Sequence, residues 1–280
     1  MTRPVGASIA AAACAVLLAC TGPRREPDVI VYASGTDLES ANPLVTIHPL
    51  SRQIQRHVLF VTLTRYDSTL TVTPYYARRW TWSADRRTLT MRLHPGVRWH
   101  DGVTTTASDA SFTLLLARDL RYGFARAADL AGLDTVSAAS DSTLVLRFRS
   151  PQREVPSILS ELPLLPAHLL ANVGPAEMRR HAFSTAPVGN GPFRFVRRVG
   201  GQRWEFARND EFPLALGGPP GIRRLVVAVV DEPTTKFAGL AAGELDFAGI
   251  AATMADLARR DPMIDGVDYP VLFTTAFVFN

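Results

Sequence analysis

The chain reads as an α/β unit carrying a largely antiparallel insertion. Three observations point there: a β-branched run near the start, a period-two stretch in the middle, and β-then-α alternation in the last third. With 47% hydrophobic residues among 280, it can bury a sizeable core, in one large domain or two smaller ones.

Residues 1–19, "MTRPVGASIAAAACAVLLA", place Arg3 ahead of an apolar stretch from Ala7 to Ala19. This is the layout of a secretory signal peptide, too short and alanine-rich for a membrane span. "LLAC", Leu17 to Cys20, resembles a bacterial lipobox, which makes Cys20 the expected lipidation site and new N-terminus. Ordinary cleavage nearby and an uncleaved anchor are the alternatives. Cys14 lies inside the segment to be discarded, so a mature chain would keep Cys20 alone and no internal disulfide is possible. Residues 20–28, polar and proline-punctuated, are expected to form a lipid-anchored linker.

"VIVYAS" at Val29 to Ser34 predicts a buried strand opening into a loop at Gly35. Ile54, Val58 and Val61 stand near helical spacing, predicting a helix before Asp67. Trp80 and Trp82, then Leu89, Met91 and Leu93, alternate with polar residues around the turn "SADRR", which predicts a hairpin. "HPG" at His94 to Gly96 breaks the strand, Val97 and Trp99 resume the alternation, and Asp101-Gly102 ends it. Thr106 and Asp109 have capping-box spacing, so a helix should run from Ala107 to Ala117 with Phe112, Leu115 and Leu116 on one face.

Leu144, Leu146 and Phe148 alternate in a further strand, and "PLLPAHLL" predicts a proline-bracketed turn into a short helix. "RRLVVAVV" at Arg223 to Val230 is continuously apolar after its arginines, as in a strand buried on both faces. Asp231, Glu232 and Pro233 should start a helix carrying Phe237 and Leu240 and stopped by Gly243. "LDFAGI" reads as a strand and "TMADLARR" as a short helix.

Chemical patterns are sparse. The net charge of +4 rests on scattered arginines, Lys236 being the sole lysine, and a nucleic-acid footprint needs clustering, so no nucleic-acid partner is expected. No two histidines stand four apart around a glutamate, and two cysteines cannot build a Cys-based zinc site; no metal is expected. No serine occupies a Gly-x-Ser-x-Gly elbow. "GNGPFR" at Gly189 to Arg194 has Pro192 and Arg194 where a dinucleotide loop must enter its helix, so no cofactor is expected there.

His100, Asp101 and Asp109 offer a local pair for proton transfer or metal binding. The structural reading is favoured: a strand end, an Asp-Gly turn and a helix cap, with adjacent side chains facing apart. His48, His57, His168 and His181 read as isolated. Arg78, Arg79, Arg86 and Arg87 read as a solvated rim rather than an anion site, and Trp80, Trp82, Trp99 and Trp204 as core rather than a ligand platform.

Taken in order, "LTMRLHPGVRWHDGVTTTASD", "LPLLPAHLL", "APVGNGPFRFV", "RNDEFPLALGGPPGIRRLVVAVVDEPTTKFAGLAAGELDFAG" and "FTTAFVFN" resemble the solute-binding proteins of the dipeptide, oligopeptide and nickel class, family 5, which serve ABC importers. The resemblance spans Val29 to Asn280. It implies a periplasmic-binding-protein-like α/β fold of class II, of the large peptide-binding type, closing on solute by hinge motion without covalent chemistry. It also implies an α/β part of lobe I at 29–60 and 186–270, an inserted, mainly antiparallel subdomain at 61–185, and the start of a crossover at 271–280. The second lobe is expected to be absent, making the chain a fragment.

Implied partners are a peptide or other small solute and an ABC permease complex in the membrane. The implied location is the periplasm or cell surface, with membrane anchoring through Cys20. By position in the family pattern, Ser34, Gly35, Thr36, Asn42, Thr275, Ala276 and Phe277 are the expected ligand-side residues; the alternative is that the 34–36 loop merely turns the chain. A rival functional reading keeps part of the fold as a surface, chaperone or signalling module without transport.

Overall fold

The computed structural model describes residues 28–268. The expected signal peptide 1–19, Cys20, the expected linker up to residue 27 and the expected crossover segment 271–280 lie outside the described residues.

β1 (Val29–Ser34) is the expected first strand. α1 (Pro49–Ile54) follows with proline in its first turn, where the missing N–H costs nothing, and continues as a π-helical turn over Gln55–Leu59. The helix expected before Asp67 thus stops at Leu59, and Val61 is not on it. Phe60 takes extended backbone, and Val61 N–H is accepted by Asn190 Oδ1 at 3.0 Å, which draws the chain out of the helix. β2 (Thr64–Tyr66) and β3 (Val72–Pro74) pair as a small hairpin.

β4 (Ala77–Trp82) and β5 (Thr88–Leu93) form the hairpin expected from the alternation. α2 (Ala107–Arg118) opens on a true capping box, Thr106 Oγ1 accepting Ser108 N–H at 3.2 Å and Asp109 Oδ2 accepting Thr106 N–H at 2.8 Å. Its buried face is Ala110, Thr113, Leu114 and Ala117, whereas Leu115 is 40% exposed and Phe112 and Leu116 are half-buried. The expected apolar face is therefore corrected by nearly half a turn, at about 100° per residue. Small residues let the helix approach the strands beneath it, and Thr113 Oγ1 accepts Leu165 N–H at 2.8 Å while donating to Asp109 O.

β6 (Leu133–Ser140) and β7 (Thr143–Phe148) complete an antiparallel four-stranded sheet in the order β4-β5-β7-β6, with α2 packed on it. Three single-turn helices follow, α3 (Ile158–Glu161), α4 (Ala167–Leu170) and α5 (Pro175–Met178).

β8 (Phe193–Val199) and β9 (Arg203–Arg208) lead into β10 (Arg224–Val229). Next come α6 (Pro233–Ala241), capped by Glu232 and followed by Gly243 at φ +70°, the short β11 (Phe247–Ala248), and α7 (Ala255–Arg260). These strands join β1 in a mixed sheet ordered β11-β1-β10-β9-β8, in which β1 runs parallel to both neighbours and β9 antiparallel to β10 and β8. Only Val227 of β10 is buried, so the expectation of a strand buried on both faces is corrected: its other side chains stay partly open among the described residues.

One continuous core joins the two sheets. It contains Leu59, Phe60, Trp99, Leu146, Trp204 and Phe206, each 1% exposed or less. The tryptophans belong to this packing: Trp99 and Trp204 are buried, and Trp80 and Trp82 are half-buried against the core.

Candidate functional site

In open α/β sheets, ligands sit beyond the carboxyl ends of parallel strands, where loops diverge and backbone groups are free to point outward. The carboxyl ends of β11, β1 and β10 lie side by side here, and the loop leaving β1 carries Ser34, Gly35 and Thr36. Ser34 is buried; its hydroxyl donates to Thr36 O at 2.6 Å and accepts Thr36 N–H at 3.1 Å, folding the loop on itself. Ser34 O accepts Val230 N–H at 2.7 Å, which ties the loop to the end of β10.

Gly35 lies between charged neighbours. A β-carbon there would be 3.4 Å from Lys236 Nζ and 3.6 Å from Asp231 Oδ1, ordinary contact distances. Thr36 is exposed, with Oγ1 3.2 Å from His48 Nε2. The structure thus gathers Ser34, Gly35 and Thr36 with His48, Asp231 and Lys236, three residues that the sequence did not single out as ligand-side.

Asn42 sits deeper. It is fully buried within the 37–48 loop, its N–H donating to Ser40 Oγ at 3.0 Å and its Oδ1 accepting Leu44 N–H at 3.0 Å. Its Nδ2 is enclosed with no hydrogen-bond partner among the described residues. The same loop is closed by Thr46 Oγ1 donating to Glu39 Oε2 and by Ser51 Oγ accepting Glu39 N–H at 3.0 Å. Asp37, at its start, gathers Trp204 Nε1 at 2.7 Å, Arg198 at 2.8 Å and Gly201 N–H at 3.0 Å. Burial raises its pKa, but those hydrogen bonds and the Arg198 charge outweigh it, and the net shift is downward. Thr275, Ala276 and Phe277 lie outside the described residues.

Beyond the loop, Glu161 of α3 bridges two guanidiniums, Arg52 of α1 at 2.7 Å and Arg126. These three line a small cavity together with Thr46, Ile47 and Pro43. The partners are 109 and 35 residues apart in sequence, and no local spacing announces them.

The candidate pair beside the Asp-Gly turn divides as the structural reading expects. His100 N–H donates to Gly189 O at 2.7 Å, and its Nε2 lies 3.1 Å from Gly191 O. Burial pushes its pKa down to about 4, and Arg194 adds to this; the Gly191 carbonyl and Asp101 oppose it. Asp101 turns away to His168 Nε2 at 2.7 Å, so His168, read as isolated, is a correction: it pairs across 67 residues. Asp109 is spent on two amides, those of Thr106 at 2.8 Å and Ala167 at 2.9 Å.

"GNG" at Gly189 to Gly191 turns out to be a junction. Leu59 O accepts the N–H of Asn190 at 3.0 Å and of Gly191 at 2.8 Å, and Asn190 Nδ2 reaches Thr105 Oγ1 at 3.3 Å. Glycine is required because a β-carbon at 189 would lie 2.0 Å from Leu59 O. Of the rim arginines, Arg86 stacks over Trp82 at 5.1 Å and donates to Gln152 O at 2.6 Å.

Residues 71–280 match the family model described as bacterial extracellular solute-binding proteins, family 5, middle. The chain belongs to this family. A putative ABC transporter peptide-binding protein of Brucella ovis is 33% identical over 166 residues, 59% of this chain and 31% of that one. The oligopeptide-binding protein AppA of Bacillus subtilis is 25% identical over 82% of this chain and 42% of its own.

The solved structure of AppA with a nonapeptide superposes at a TM-score of 0.78, with 24% identity, over 84% of this chain and 46% of that one. NikZ of Campylobacter jejuni, solved with Ni(L-His), gives 0.74 and 24% over 85% and 46%. The fold is thus that of the family 5 periplasmic binding proteins, mixed α/β in content. The chain spans about a third to two fifths of the length of these curated relatives. No described helix is long and apolar enough to cross a membrane.

Proposed function

We propose that this family 5 protein captures a small solute, of peptide type, outside the cytoplasmic membrane and passes it to an ABC permease, held at the periplasmic face or cell surface by lipid on Cys20. It performs no covalent chemistry in this reading. Residues 29–60 and 186–270 make the α/β part of lobe I, 61–185 the inserted subdomain, and 271–280 the start of the crossover to a second lobe. The curated relatives are named as peptide-binding proteins of ABC transporters, and this supports the peptide class.

The observation that carries the proposal is the convergence of the β1, β10 and β11 carboxyl ends on the Ser34–Thr36 loop, flanked by Asp231 and Lys236. Backbone groups at such a loop suit ligands of varied side chain, and an adjacent acid and base suit a zwitterion. Asn42 contributes through the loop it shapes, and Thr275, Ala276 and Phe277 complete the ligand side.

The test is thermal unfolding of the 280-residue chain with a panel of di- and oligopeptides. Saturation at about one hundred times Kd stabilises the folded state by about 2.7 kcal/mol, a rise of about 5 °C for a chain of this size. Gly35→Phe, where the β-carbon meets only ordinary contacts and the ring would fill the ligand side of the loop, should abolish the rise, with folding of the unliganded variant checked by circular dichroism. No rise with any peptide would refute the peptide reading.

A further inference from the structure

On the other flank of α1 lies a larger cleft, of about 780 Å³, that uses none of the Ser34–Thr36 loop. α1 and its π-helical turn supply Gln53, Arg56 and His57; the β2-β3 hairpin and the residue after it supply Arg65, Tyr66 and Tyr75. Its volume is that of sites for small organic ligands.

The charge in this cleft is unbalanced. Asp67 is the acid on its wall, and its Oδ1 is already taken by Thr69 N–H at 2.8 Å, Thr69 Oγ1 at 2.7 Å and Thr71 N–H at 3.0 Å. The nearby Glu161 is shared between Arg52 and Arg126, so Arg56 is a third guanidinium beside one engaged carboxylate. The Nε of Arg56 is enclosed with no hydrogen-bond partner among the described residues.

Arg65 is held in place, its guanidinium 5.2 Å above the Tyr75 ring. Burial lowers the pKa of Arg56, Glu161 opposing and Arg52 and Arg126 adding; burial and Arg56 together lower that of His57. The groups on this wall therefore work against their own positive charge, and an anion would relieve it. Guanidinium is the side chain whose fork matches carboxylate and phosphate oxygens.

We propose that this cleft is an anion site, seating a carboxylate or phosphate group of a small solute on Arg56 and Arg65, with Tyr66 and Tyr75 walling the body of the ligand. It stands independently of the peptide reading. The experiment is calorimetric titration of the 280-residue chain with inorganic phosphate and with succinate, at ionic strength held constant with chloride, and with xylose as the neutral control.

Saturable binding of phosphate, succinate or both, with none of xylose, is the expected result, and the responding anion tells phosphate from carboxylate chemistry. Arg56→Gln and Arg65→Gln should each weaken it about tenfold or more, while Arg65→Lys keeps part of it. Arg65 is exposed, so Arg65→Gln decides the matter should Arg56→Gln fold poorly by circular dichroism. Gly35→Phe should leave anion binding intact, so that loss of peptide response and loss of anion response are separate failures. Absence of saturable binding for both anions, or unchanged affinity in Arg65→Gln, overturns the proposal.

Discussion

Replacing Gly189 with alanine tests the junction that holds the two sheets to one core. The new β-carbon would sit 2.0 Å from Leu59 O and 2.9 Å from His100 Cε1, and the first of these is backbone that cannot rotate aside. Moving Leu59 O releases the two amides it accepts, Asn190 at 3.0 Å and Gly191 at 2.8 Å. Two such bonds at about 1 kcal/mol each, with about 1–3 kcal/mol for overpacking, give a loss of about 3–5 kcal/mol. At about 2 °C per kcal/mol for a domain of this size, the thermal midpoint should fall by about 6–10 °C.

The control is Gly132→Ala, where a β-carbon meets no atom within 4 Å; reduced freedom of the unfolded chain should hold or raise its stability by up to about 1 kcal/mol. Both variants are compared with the parent by circular dichroism melting and urea titration. A Gly189→Ala midpoint within about 2 °C of the parent would refute the junction argument.

His100 makes stability depend on pH. Its pKa is about 4 in the folded chain against an ordinary value near 6.5, so between these limits the unfolded chain takes up a proton that the folded one refuses. Stability should fall as pH drops through that window, by up to about 3 kcal/mol, and be flat above it. His100→Gln should flatten the fall in urea midpoint, leaving the smaller slope of His57 and His94, which shift the same way. Asp37→Ala strands the indole N–H of Trp204, a side chain 1% exposed, and should cost about 2–4 kcal/mol, read by urea titration of tryptophan fluorescence. Thr106→Ala should cost about 1 kcal/mol as a lost helix cap. Asp109→Ala should cost about two to three times as much by the same titration, because it frees the amides of both Thr106 and Ala167.

What was legible in the sequence is what is local. β1 was marked by its β-branched run, the β4-β5 hairpin by alternation, and the start of α2 by two residues three apart whose side chains cap the same turn. The buried face of α2 was missed for the complementary reason. Hydrophobicity favoured Phe112, Leu115 and Leu116, yet the sheet is close enough that Ala110 and Ala117 fit against it beside Leu114, while Phe112 and Leu116 flank the contact and Leu115 is turned outward. Size, set by a partner distant in sequence, overrode apolarity.

The candidate site follows the same division. Ser34–Thr36 is found by asking where the first strand ends, but Asp231 and Lys236 join it only through the β1-β10 pairing across some 190 residues, a register that no local pattern encodes. The same separation explains "GNG". As a motif its two glycines have the spacing of a ligand loop. Their actual constraint is the carbonyl of Leu59, 130 residues earlier, packed where a side chain would be. A glycine pair in this family segment is thus evidence of close backbone approach, and its partner is the end of the helix that also carries Arg52 and Arg56. Disturbing Gly189 should therefore shift that helix, and weaken anion binding in the Arg56 cleft along with stability, whereas Gly132→Ala should leave both untouched.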